Sequence, residues 1–363
     1  MIGHPDPATL VTPEFTAAVS RVMEAAEPAL AYGKEQGNPA LIDYLAARIS
    51  TTQHVPLSAE QVMITAGSTQ ANDMIARLYG RGGAVIVEAP TYADSLHIYR
   101  DHGLEIFGVP MDEQGVIIAE FEALLGRMAA PPRLFYTIPN FHNPTGITTS
   151  EARRREVVRL ARQYGFTIVE DDVYCELAFD QAVPPSYFAL AHGTDVNVMQ
   201  IGSFSKTLAP GLRLGWVAAS REAIQRFVNC GTTQMGGGAS PLAAQIAALY
   251  CRSEAWDAHL RHLRAVYQTR RDTILAALER HMPGGVRWTK PAGGFFVWVT
   301  LPVKSQQVKR AAEARGVLVS GGGGYFINPA DGMHNLRLTY SFAPLGDIET
   351  AVRILGEVIA ESG

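Results

Sequence analysis

One pattern restricts the fold more than any other. Short apolar runs rich in Val, Ile and Phe recur at 62–65, 84–88, 105–109, 134–138, 167–170, 198–202 and 215–219, each too short for a typical helix. Amphipathic stretches with helical spacing separate most of them, at 69–79, 93–102, 121–127 and 150–164. Such alternation predicts a mostly parallel sheet with helices on both faces, because a parallel connection needs a crossover and each face must be covered. The seven runs predict a seven-stranded sheet in a large α/β domain.

Beyond about residue 241 the texture changes. A long helical pattern runs through 265–281, followed by a strand at 293–301 and a helix at 305–315. Strands at 317–320 and 335–340 and a helix at 346–359 complete the chain. This reads as a smaller α+β domain, and the first stretch, with a helix near 13–25, is expected to pack beside it. The expected division is a large domain over 32–265 and a small domain made of 1–31 and 266–363. A length of 363 residues, at roughly 150 per domain, agrees with two.

Composition removes several functions. With 47% hydrophobic and 18% charged residues a large core is expected and disorder is not. A formal net charge of −4 argues against a nucleic-acid partner, which needs clustered positive charge. The one dense basic run, Arg153-Arg154-Arg155, falls in a helical pattern and reads as a solvated helix face. Cys175, Cys230 and Cys251 form no CxxC pair, so no structural zinc is expected and a reducing compartment fits. The first six residues lack a signal pattern, and no uncharged apolar run reaches the ~18 residues of a membrane span. The expectation is a soluble, cytoplasmic protein. Only five of its 31 cationic residues are lysines, so a lysine in an unusual setting stands out.

In open α/β sheets ligands bind beyond the carboxyl ends of the strands. After 62–65 come Gly67, Ser68 and Thr69 and then a helix, a place where backbone N–H groups and hydroxyls can meet an anion, although the same residues suit an ordinary N-cap. After 84–88 comes Tyr92, able to lay its ring on a flat ligand or simply to pack. After 134–138 comes Pro139-Asn140-Phe141-His142-Asn143-Pro144-Thr145-Gly146, a tight turn that presents Asn143, with His142 reading as structural or as part of the rim. Glu170 and Asp171 run out of an apolar strand, so at least one of them should meet a cation or an N–H group, and Tyr174 follows close by. After 198–202 comes Ser203-Phe204-Ser205-Lys206, then Arg213, which is not the pattern of a solvated surface.

Together these residues, with Arg337 far downstream, stand in an order that resembles the class I/II aminotransferases. These are the pyridoxal-phosphate enzymes of the aspartate aminotransferase fold (fold type I). The wording Glu170-Asp171-Asp172-x-Tyr174, Ser203-Phe204-Ser205-Lys206 and Gly211-Leu212-Arg213-Leu214-Gly215 is most similar to the kynurenine/α-aminoadipate subgroup. The resemblance covers nearly the whole chain.

The resemblance implies pyridoxal 5'-phosphate as cofactor and a role for each motif residue. Lys206 would form the internal aldimine and later shuttle protons as a free amine. Asp171 would keep the pyridine nitrogen protonated, while Asn143 and Tyr174 would hydrogen-bond the ring oxygen. Tyr92 would stack on the ring. Ser68, Thr69, Ser203, Ser205 and Arg213 would hold the phosphate, with Gly67 letting the backbone approach. Tyr32 would reach the phosphate of a neighbouring subunit, implying a homodimer with shared active sites. Arg337, with Asn143, would clamp the substrate carboxylate.

The implied reaction moves the amino group of an L-amino acid to a 2-oxo acid such as 2-oxoglutarate, in a ping-pong cycle. The same fold also supports a lyase, decarboxylase, cyclase or carbon–carbon bond-forming enzyme of a biosynthetic pathway, and the motifs leave that open. A regulator carrying a winged-helix domain is disfavoured, because only about 31 residues precede Tyr32. That stretch is also short for the subgroup's lid. Phe15, Tyr32, Phe141 and the 321–324 glycines with Tyr325 are the candidates to line the side-chain pocket.

Overall fold

The computed structural model describes residues 3–25, 27–180 and 182–363. Eight strands form the large sheet: β1 (Val62–Thr65), β2 (Ala84–Ala89), β3 (Glu105–Asp112), β4 (Gly115–Val116), β5 (Leu134–Thr137), β6 (Thr167–Asp171), β7 (Val198–Ser203) and β8 (Gly215–Ala218). Their order is β1-β8-β7-β6-β5-β2-β3-β4. The seven expected runs are all present. The eighth strand is the two-residue β4, which turns straight back on β3 and is too short to leave a pattern in the sequence.

The ladders between β3 and β2, β2 and β5, β5 and β6, and β6 and β7 are parallel. β8 runs antiparallel to both β7 and β1. The reason is the connection: β7 and β8 are joined only by 204–214, which holds no crossover helix. Two reversals cancel, so β1 points the same way as β2, β3, β5, β6 and β7. Every loop singled out above therefore leaves one edge of the sheet.

Side-chain alternation assigns the two faces. Val85, Val87, Leu134, Tyr136, Val169, Met199 and Ile201 enter one core with the helices Ser68–Ile75 and Ala93–Asp101. Ile86, Phe135 and Ile168 point the other way, onto the helices Ile118–Arg127 and Glu151–Tyr164. The smaller sheet is antiparallel throughout, in the order β11-β12-β10-β9, from β9 (Arg287–Trp288), β10 (Phe296–Thr300), β11 (Ser320–Gly321) and β12 (Asn335–Thr339). The helix Glu254–His281 links the two regions, giving Leu260, then Leu263 and Tyr267, then Ile274 and Leu278 to three successive cores.

Two expectations need correcting. The helix Pro13–Glu24 does not pack beside the small sheet. It lies on the helix Pro241–Cys251, with Phe15 edge-on to Tyr250 at 5.5 Å, because its apolar stripe matches that Ala-rich face. Nor is the Arg153-Arg154-Arg155 run a solvated face. Arg155 is exposed, but Arg154 is fully buried and donates to five oxygens, those of Thr149, Pro139, Pro184, Pro185 and the Asn140 side chain. Its position on the inner stripe of the helix forces burial, and the carbonyls that would otherwise lack donors make burial tolerable. Among the described residues no helix is long and apolar enough to cross a membrane.

Candidate active site

Five of the segments at the shared sheet edge carry expected residues, those that follow β1, β2, β5, β6 and β7. Two residues past β1 stands Gly67, at φ 84°, which caps the start of the helix Ser68–Ile75. A Cβ on Gly67 would lie 2.7 Å from an Arg213 guanidinium nitrogen, so the absent side chain is what lets Arg213 reach the helix N-terminus. Gly215 does the same one strand over: a Cβ there would sit 2.6 Å from the backbone N of Ser68. Ser68, Thr69 and Arg213 thus gather at one positive helix end. Ser203 joins them from the end of β7, its Oγ accepting from the backbone N of Ser205 at 3.1 Å.

Lys206 follows on that loop. Its Nζ lies 5.8 Å from the centroid of the Tyr174 ring and donates to the Gly3 carbonyl at 3.4 Å. Burial pushes its amine down to about 8, opposed by the charge of Asp171 and assisted by Arg337 and Arg213. The neutral amine is therefore a minority at neutral pH, yet far more abundant than in an ordinary lysine. Asp171 ends β6 and is buried. Tyr136 on β5 donates to its Oδ2 at 2.6 Å, while Oδ1, also buried, has no partner among the described residues. Burial pushes its carboxyl up to about 6, against the hydrogen bond from Tyr136.

Asn143 and Arg337 meet although 194 positions apart: Arg337 donates to Asn143 Oδ1 at 2.9 Å. The guanidinium carbon stands 4.3 Å from the Phe296 ring centroid and 5.0 Å from that of Tyr325. Tyr174 packs edge-on to Phe295 and Phe296 at 5.6 and 5.9 Å. Tyr92 donates to Asp94 at 2.5 Å, and burial, then Asp94, raise its phenol above its ordinary range. The loop holding Tyr325 touches this edge, since the Tyr325 carbonyl accepts from Thr91 N at 2.8 Å.

Tyr32 is the expected site residue that this chain does not bring to the cluster. It is 94% exposed and lines an open recess with Met235 and Pro241. Phe15 belongs to the cluster under the helix Pro13–Glu24. Phe141, at φ 50°, is buried against Gly293 and Gly294 and has a packing role. His142 is buried, its Nε2 3.1 Å from Glu88 Oε2.

Sequence reasoning passed over Glu88, Tyr136 and Asn140. Glu88 is buried and accepts from Thr137 Oγ1 at 2.7 Å and from Ile138 N at 2.8 Å, tying the end of β2 to the Asn143 turn. An acid closing an apolar run was the signal that singled out Asp171, and it applied equally to Glu88. Glu170 accepts from the backbone N of Tyr187 and Phe188, and Asp172 from Asn140. Tyr136 had no such signal, because a tyrosine within a strand is ordinary core.

Comparison with known proteins bears on this geometry. The sequence model of the family "Aminotransferase class I and II" matches residues 4–355. The aromatic-amino-acid aminotransferase 1 of Thermococcus litoralis is 34% identical, over 99% of this chain and 87% of its own length. The HTH-type transcriptional regulator YisV of Bacillus subtilis is 34% identical over 93% of this chain and 69% of the regulator. The solved kynurenine aminotransferase of Pyrococcus horikoshii, a complex with PMP, is 32% identical and superposes with a TM-score of 0.93, covering 99% of this chain and 89% of that one.

Proposed function

The chain belongs to the class I and II aminotransferases, which depend on pyridoxal phosphate, and on that premise we propose that Lys206, Asp171 and Arg337 carry its reaction. The residues present fit the cofactor on three grounds. Asp171 Oδ1 is a buried, unpartnered carboxylate oxygen suited to a protonated ring nitrogen. Gly67 and Gly215 leave room beside Arg213 and Ser68 for an anion. The Lys206 amine, lowered to about 8, is accessible in the neutral form that attacks an aldehyde.

When bound, the cofactor supplies an aldehyde that captures amines and a ring that accepts electrons. Lys206, as a free amine, would take up and hand back the proton of the substrate α-carbon. Asp171 would pair with the ring nitrogen and keep its proton. Asn143 and Tyr174 would donate to the ring oxygen, and Tyr92 would cover one ring face. Ser68, Thr69, Ser203, Ser205 and Arg213 would hold the phosphate. Arg337 receives the substrate carboxylate in its planar fork, oriented by its bond to Asn143, so that the α-hydrogen faces Lys206.

The observation that carries this reading is the convergence of Lys206, Asp171 and Arg337, from two sheets, on one edge. The Phe296 and Tyr325 rings beside Arg337 suit an aromatic or kynurenine-like donor, in keeping with the named substrates of the relatives. The proposed acceptor is 2-oxoglutarate. Holoenzyme given a panel of L-amino acids with 2-oxoglutarate is expected to form glutamate fastest with aromatic donors. Glutamate from no donor would sink the assignment.

The enzyme is further proposed to be a soluble cytoplasmic homodimer. Cys175, Cys230 and Cys251 are unpaired, which fits a reducing compartment. Tyr32, Met235 and Leu30 are 94%, 90% and 65% exposed around one recess, a cluster that a second copy would cover while Tyr32 completes its phosphate site. The domain boundary is placed within the helix Glu254–His281, near residue 265. Sedimentation equilibrium is expected to give twice the 39.3 kDa chain mass, and a monomer at micromolar concentration would refute the dimer.

A further inference from the structure

Asp94 is a charged side chain beside the candidate site to which the proposed reaction assigns no task. It stands in the first turn of the helix Ala93–Asp101 and is exposed. Tyr92 donates to its Oδ2 at 2.5 Å, while Oδ1 accepts from no described residue. The positive end of the helix tolerates an acid there, but the helix start takes no side-chain capping bond. Capping therefore does not account for this carboxylate.

Contacts on both sides place Asp94 at the rim of the substrate space. Tyr92, which holds it, is the ring expected over the cofactor. Thr91, one residue earlier, donates its backbone N–H to the Tyr325 carbonyl at 2.8 Å, and the Tyr325 ring centroid lies 5.0 Å from the Arg337 guanidinium carbon. Charges register the same proximity. Burial lowers the Lys206 amine, Asp171 opposes that shift, and Asp94 adds to the opposition. Burial raises the Tyr325 phenol, Arg337 lowers it, and Asp94 raises it further. Asp94, Tyr325, Arg337 and Lys206 thus border one space.

In that space the α-carboxylate of a donor goes to Arg337 and its α-carbon faces Lys206. The side chain is the part that extends toward the rim. Arg213, Lys206 and Arg337 are taken by the phosphate, the cofactor aldehyde and the substrate carboxylate, so none of them is left to pair with Asp94. We propose that Asp94 is a specificity-determining residue whose Oδ1 faces the outer end of the donor side chain, so that an aromatic donor ending in an ammonium or N–H group is preferred over one ending in a carboxylate. This selectivity deepens the donor class proposed above and rests on the reading that Arg337 takes the α-carboxylate. An ammonium would gain a charge-assisted hydrogen bond at Oδ1, and a carboxylate would meet a like charge. Exposure of the Asp94 side chain to water limits both effects.

The test uses unreactive acids that lack the amine: phenylpropanoate, and the same acid carrying an aminomethyl group or a carboxylate at the para position of its ring. Calorimetry reads the dissociation constant of each for wild-type holoenzyme and for Asp94→Asn, which loses the charge and keeps an acceptor for the Tyr92 hydroxyl. Wild type is expected to hold the aminomethyl acid more tightly than the carboxylate acid. In Asp94→Asn the ratio between the two should shrink about tenfold, because an attraction and a repulsion are lost together, each worth roughly threefold as for an exposed charge pair. Plain phenylpropanoate should shift less than either. The KM for 2-oxoglutarate, which brings a second carboxylate to the same rim, should fall in the variant for the same reason. An unchanged ratio would overturn the selectivity, and so would an equal shift for all the acids, which would make Asp94 only a support for the Tyr92 ring. Arg337→Ala, measured beside them, should weaken every acid. If it weakens none, the carboxylate reading fails instead.

Discussion

Lys206→Ala, purified in the presence of pyridoxal phosphate, is expected to show no visible band of covalently held cofactor and to transaminate at least ~10⁴-fold more slowly than wild type. The magnitude combines two losses. General acid–base transfer by a positioned amine is worth about 10²–10⁴-fold, and the covalent attachment that presents the cofactor for exchange is lost as well. Lys206→Arg should be equally inactive, because a guanidinium stays protonated where the Lys206 amine is lowered to about 8. Absorbance spectra and a coupled glutamate assay read both outcomes. Transamination by Lys206→Ala at the wild-type rate would show that another group carries the chemistry.

Arg337→Ala should leave the visible band in place and cut kcat/KM for the amino donor by about 10²–10⁴-fold, chiefly by raising KM. Two charge-assisted hydrogen bonds to a carboxylate contribute about 1.5–3 kcal/mol each, and 1.4 kcal/mol is a factor of ten. The variant also leaves Asn143 Oδ1 without its donor at a buried position. Arg337→Lys keeps the charge but cannot bind in two parallel bonds or lie against the Phe296 ring, 4.3 Å away, so only a small part of the loss should return. Steady-state kinetics on one donor with fixed 2-oxoglutarate separate the terms. An unchanged donor KM in Arg337→Ala would remove Arg337 from the carboxylate site.

Much of the large domain was legible because its signals are local. β1 spans Val62–Thr65 as its apolar run predicts, and β2, β5, β6, β7 and β8 end within one residue of theirs. β3 runs three residues further, to Asp112, where pairing with β4 extends a polar segment that no apolar run marks. Arg154 shows the opposite failure. Three adjacent arginines look alike in sequence, yet the helix turns one of them inward, and only the packed fold supplies its acceptors.

The sequence by itself determined which residues could do the chemistry. A lysine between small hydroxyl residues, an acid closing a strand, and glycines before a helix are local facts, and the sheet's alternation sends all of them to one edge. Tertiary structure alone decided what surrounds them. The bond between Asn143 and Arg337 joins two sheets across 194 positions. The lowered amine of Lys206 and the raised carboxyl of Asp171 come from burial, which no neighbour in sequence imposes. The bond from Tyr136 to Asp171, and those that join Tyr99, Asn72 and Ser95, exist only because separate strands and helices pack together. Spacing along a chain fixes which face a side chain takes, whereas desolvation and hydrogen-bond direction depend on what lies opposite that face.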